Sequence, residues 1–104
     1  MMNFGKMTVK PSIVKVYGVQ YIIYLYCNAD GVDLVEAARS NPHPFYIAID
    51  ENSRVISMTD DIEQSQIAGY EIIGIDSDYG ETFGPGGSVY GKKWNGLRFL
   101  DVEL

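Results

Sequence analysis

Residues 12–27 constrain the fold more than any other stretch. Two runs rich in Val, Ile and Tyr, 12–17 and 20–27, flank Gly18-Val19. Glycine at the first central position suits a two-residue type II′ turn, so the segment reads as a β-hairpin. That turn pairs Tyr17 with Gln20, Val16 with Tyr21 and Val14 with Ile23. Side chains alternate across a strand. One face then holds Val14, Val16, Tyr21, Ile23 and Leu25, and the other Ile13, Lys15, Tyr17, Ile22, Tyr24 and Tyr26. The second face is too apolar for open water, so a helix or another chain must cover it. Ile13, Ile22, Tyr24 and Tyr26 are therefore a candidate oligomer face, and a homodimer is one expectation.

Two further hairpins follow. The first joins 45–50 to 55–58. With Asn52-Ser53 as its turn, Glu51 faces Arg54 in a favourable cross-strand pair. Phe45, Ile47, Ile49, Ile56 and Met58 form the expected buried face, with Tyr46, Ala48, Asp50, Val55 and Ser57 turned outward, a one-sided strand pair. The other joins 88–94 to 97–103 through Asn95-Gly96, a dipeptide suited to the two positive φ angles of a type I′ turn. One more strand, 70–76, carries Ile72, Ile73 and Ile75. Asp30 is placed to cap a helix ending near Ser40, before Pro42 and Pro44. Asp60 with Glu63 resembles a capping box ahead of Ile62 and Ile67, with Gly69 at the helix end. The expected class is α+β: a mostly antiparallel sheet built from three β-hairpins plus one strand, with two short helices. Residues 1–104 read as a single domain.

Charge is segregated along the chain. The sequence holds 14 acids against 8 Lys and Arg, a net −6. Residues 1–29 carry Lys6, Lys10 and Lys15 and no acid, whereas 30–90 carry twelve acids against Arg39 and Arg54. A field of that kind speeds association with a basic partner and opposes nucleic-acid binding, which needs a basic face. Cys27 is the single cysteine, so no internal disulfide forms. At the end of an apolar run it reads as a small buried hydrophobe. The nine-residue apolar run 19–27 falls short of the roughly twenty a membrane helix needs, and residues 1–6 lack a signal-peptide pattern. The expectation is a cytoplasmic protein with no nucleic-acid and no membrane partner.

Residues 77–87 are the one long loop, nearly half glycine and proline. Such a loop in a small domain is functional or disordered. Its spacing with Gly91-Lys92 imitates a P-loop, but Lys93 stands where Ser or Thr should bind Mg²⁺. Asp76, Asp78 and Glu81 approach a calcium loop without its remaining ligands. Neither spacing supports a metal or cofactor, and none is expected. Tyr79, Phe83, Tyr90 and Trp94 are better read as aromatic anchors for a partner. His43, between two prolines, has no nucleophile or ligand partner at a recognisable spacing. No catalytic residue is assigned.

These readings favour a small acidic protein-binding module that inhibits or regulates a protein with a basic groove. Phage-borne inhibitors share this composition, though no motif. Asp50, Glu51, Asp60, Asp61, Glu63, Asp76 and Asp78 would supply the field. The alternatives are a self-associating structural protein, and a small enzyme or ligand binder using the glycine-aromatic loop and His43.

Overall fold

The computed structural model describes residues 1–65 and 67–101. The fold is α+β and mostly antiparallel. Its strands are β1 (Met2–Lys6), β2 (Thr8–Val16), β3 (Val19–Cys27), β4 (Phe45–Ile49), β5 (Val55–Thr59), β6 (Glu71–Ile75), β7 (Lys93–Trp94) and β8 (Phe99–Leu100). Helix α1 spans Leu34–Ser40, and a single 3₁₀ turn spans Ile62–Ser65. The body is a four-stranded sheet in the order β1-β6-β4-β5, while β2-β3 and β7-β8 are separate two-stranded ladders.

Strand β4 sits inside the sheet and is apolar at every position, Phe-Tyr-Ile-Ala-Ile. The expected one-sided strand pair is therefore corrected: β4 is buried on both faces. Ile47 and Ile49 join Val55, Met58, Ile73, Ile75, Val89 and Trp94 on one side. Tyr46 and Ala48 join Phe4, Met7, Leu34, Ala38 and Ile72 on the other. Complete burial of each such aliphatic side chain is worth roughly 1.5–3 kcal/mol, so the two half-cores dominate the stability of the body. A bulge near Ile49 brings Val55 opposite it, after Ala48 has paired with Ser57. That leaves Ile56 as the extra residue, exposed rather than buried. Glu51 and Arg54 lie in the connecting loop, where Asp50 Oδ1 accepts from the Asn52 and Arg54 amides, so they form no cross-strand pair.

β1 has no counterpart among the strands expected from the sequence. Phe4 is its one buried side chain, and Gly5 takes φ 89° at a bulge. The bulge tucks Phe4 into the helix-side core.

The helices also shift. Asp33, not Asp30, caps α1, its Oδ2 accepting from the Glu36 amide at 3.0 Å. Asn28 competes for the residues before it, its Oδ1 accepting from the amides of Asp30 and Val32. The second expected helix shrinks to the 3₁₀ turn, held by Asp61 Oδ1 on the Glu63 amide rather than by Asp60. In the third hairpin only Gly96 takes a positive φ, at 93°, so Asn95-Gly96 is not a type I′ turn. Asn95 Oδ1 instead accepts from Leu97 and Arg98 amides. The ladder shortens to Lys93↔Leu100 and Trp94↔Phe99, and residues 88–90 are turn rather than strand. The expected continuation over 102–103 lies outside the described residues.

The first hairpin does not lie on the sheet. Its turn is Tyr17-Gly18, with φ 50° and 78°, the two positive angles of a type I′ turn. Val16 pairs with Val19, Val14 with Tyr21 and Ile13 with Ile22. The pairing differs from the expected register by two residues, which preserves the faces because side chains repeat every second residue. The molecule measures 54 × 26 × 23 Å, with a radius of gyration of 15.0 Å. A compact chain of this length has about 13 Å. The difference is the hairpin, which projects as an arm whose nine-residue strands span roughly 30 Å.

Candidate functional site

The arm is rooted by a small set of contacts. Met7 and Cys27, at its two feet, are buried in the body at 1% and 3% exposure. Thr8 Oγ1 donates to the Cys27 carbonyl at 3.3 Å, and Cys27 bridges Asp33 at the start of α1. Beyond that root both faces are open. Nine large apolar side chains are exposed there: Val9, Ile13, Val16, Tyr17, Val19, Tyr21, Ile22, Ile23 and Tyr24. Ile13 is 68% exposed, Ile22 65% and Tyr24 62%. Ile13, Ile22 and Tyr24 thus share an open face, while Tyr26 near the root packs against the helix-side core. An isolated two-stranded hairpin is marginal in water, and this one carries apolar side chains on both faces.

The two edges of the arm differ. β2 bears Lys10, Pro11 and Lys15. Lysine and proline are the usual means of blunting a strand edge. β3 reads Val-Gln-Tyr-Ile-Ile-Tyr-Leu-Tyr-Cys, without charge, proline or glycine. Among the described residues, its outer edge has a partner only at the root, in the Cys27↔Asp33 bridge. Under the arm, Lys10, Ser12 and Leu25 face Asp33, Glu36 and Ser40 across a cleft of about 700 Å³.

The acidic residues do not gather in one place. Phe45 pairs with Ile75, and Tyr46 with Thr59. Asp60, Asp61 and Glu63 follow β5 at that end of the sheet, as Asp76 and Asp78 follow β6. Asp50 and Glu51 follow β4 at the opposite end, beside Glu71 and Lys6. Several have local work. Asp76 accepts from the N-terminal ammonium at 3.1 Å, Asp78 Oδ1 from the Gly80 amide, and Glu63 pairs with Arg39 at 3.2 Å.

The glycine-aromatic loop is pinned. Ser88 and Thr82 exchange bonds, each amide donating to the other's hydroxyl at 2.9 Å. Ser88 Oγ donates to Glu81 Oε2 at 2.6 Å. Lys92 pairs with Glu81, and with Asp101 at 3.2 Å. The Lys92 hydrogen bond, helped by that from Ser88, holds the Glu81 carboxyl below the usual carboxylate range. Glu81 and then Asp101 push the Lys92 ammonium up. Lys92 is thus taken up by ion pairing, and Asp76, Asp78 and Glu81 are engaged separately. Among the described residues no group of three or more His, Cys, Asp and Glu is placed to hold a metal ion.

Of the aromatic anchors, Trp94 is a core residue, 5% exposed, with Phe99 at 5.0 Å and Tyr79 at 5.7 Å between ring centres. Phe83 packs on Phe45 at 5.8 Å. The Tyr90 hydroxyl accepts from the Gly84 amide at 2.8 Å. Only Tyr79 and Tyr90 keep substantial exposure. His43 belongs to the other side of the sheet. Its ring lies 6.0 Å from Phe4 and directly over Gly74, so the sheet separates it from the loop. No helix among the described residues is long and apolar enough to cross a membrane.

Comparison with protein-family models, with curated proteins and with solved structures returned no match.

Proposed function

We propose that this chain is a protein-binding module whose arm is the docking element and whose acidic body is the platform that presents it. The observation carrying this reading is the concentration of exposed apolar side chains, nine on one arm, projecting clear of the body. Contiguous apolar surface of that extent marks interaction sites in folded proteins. Tyrosine, with four copies on the arm, supplies contact area at small entropic cost. The acids after residue 29 set the sign of the long-range field, which draws proteins with a basic surface toward the body rather than toward the arm.

The test is co-purification of tagged protein from cells of its source, with an untagged second copy co-expressed. Ile22→Asp with Tyr24→Asp, both at exposed positions, is expected to lose the partners that the unaltered chain retains. Charge reversal at Asp60, Asp61 and Glu63 is expected to slow capture without abolishing it. Retention of every partner, including the second copy, by the arm variant overturns the reading.

A further inference from the structure

Resting on the arm as docking element, we infer that its occupant is a second copy of this chain, joined edge to edge along β3 into a four-stranded sheet β2-β3-β3-β2. In a strand, alternate residues turn their N–H and C=O to each edge. From Val19 to Tyr26 the outward set on β3 has no strand partner among the described residues. A second copy offers the same unpartnered edge in the same length, and antiparallel pairing about a two-fold axis satisfies both at once.

Charge chooses the edge. Two β3 strands meet without any charged side chain, whereas two β2 strands centred on each other would bring Lys10 of one copy against Lys15 of the other, twice. Like charges directly opposite each other are destabilising in a sheet, and Pro11 removes a donor from β2. Five of the nine exposed apolar residues stand on β3, namely Val19, Tyr21, Ile22, Ile23 and Tyr24, and their side chains gain cross-strand neighbours from the second copy once the two edges pair.

The face and edge modes separate experimentally, because Ile13 and Ile22 are cross-strand neighbours on one face. Packing through that face would suffer equally from lysine at either position. Edge pairing suffers only on β3, where lysine meets its own copy or a close neighbour. Sedimentation velocity of the full chain up to about 100 µM, a range that detects even weak dimers, is expected to give twice the 11.6 kDa chain mass. Ile22→Lys, and independently Tyr24→Lys, are expected to weaken the dimer about tenfold or more. Ile13→Lys is expected to leave it within about twofold. Trp94 emission, reporting the intact body, should be the same in all three variants. A monomer throughout, or equal loss from Ile13→Lys and Ile22→Lys, overturns edge pairing. A monomer whose arm variants still lose a different co-purifying protein refutes the second copy while leaving the arm as the docking element.

Discussion

At the residue scale, Gly74 and Glu81 show how close contacts translate into stability. A Cβ on Gly74 would lie 2.5 Å from His43 Nδ1 and 2.6 Å from Cγ. The ring is held in place, since Nδ1 lies 2.9 Å from the Asn41 carbonyl and the His43 amide donates to the Tyr46 hydroxyl. Gly74→Ala is expected to cost about 1–3 kcal/mol, read as a fall in the urea midpoint, with part of the loss recovered in a His43→Ala background. Glu81 has a lowered pKa. Its contribution is complete above the ordinary carboxylate range and is lost as pH falls through the lowered folded value. Lys92, raised by Glu81 and Asp101, contributes below the ordinary lysine range and loses that contribution only as pH rises through its raised value. Glu81→Gln should therefore flatten the acid limb of stability against pH, measured by urea unfolding between about pH 7 and about pH 3. An unchanged limb would remove Glu81 from that account.

At the element scale, the loop over 77–92 depends on one glycine that meets backbone. A Cβ at Gly87 would stand 2.6 Å from the Thr82 carbonyl oxygen and 2.7 Å from Phe83 Cα, neither of which is the end of a flexible side chain. Gly87→Ala is expected to break the Thr82–Ser88 exchange and loosen the aromatic cluster, shifting the emission of the single tryptophan to the red. Asp33→Ala should cost α1 about 1 kcal/mol through its cap, whereas Asp30→Ala should cost little by comparison. The same elements show what the sequence could and could not disclose. The hairpin faces were legible because period-two alternation survives a two-residue shift of the turn. The fold class was legible because Val, Ile and Tyr runs dominate the strands. β1 was not, because a strand with one buried side chain and a glycine bulge has no local pattern; its pairing with β6 is tertiary. Trp94 looked like an anchor because aromatic residues suit cores and interfaces equally, and only its packing on Phe99 and Tyr79 distinguishes the two. The choice between Asp30 and Asp33 turned on Asn28, whose side chain organises the intervening turn.

At the scale of the whole molecule, arm and body are joined at the root and otherwise independent. Replacing residues 10–25 by a short Gly-Ser turn should leave the body folded, with Trp94 emission unchanged, because surface segments with few body contacts tolerate replacement. Solution scattering should then show the long dimension of 54 Å shortening toward the two shorter ones. Loss of the body fold would mean that the arm holds it together rather than projecting from it.

The arm's length also has an ionic consequence. All 14 acids lie beyond residue 29, against five Lys and Arg. Two such bodies in direct contact would repel strongly. Antiparallel overlap of two arms places the bodies at opposite ends of a strand ladder roughly 30 Å long. The screening length at physiological ionic strength is about 8 Å. Each body is then effectively invisible to the other's charge, and the arm acts as an insulator as well as a contact. The dimer should accordingly weaken less than about twofold between roughly 50 and 500 mM salt.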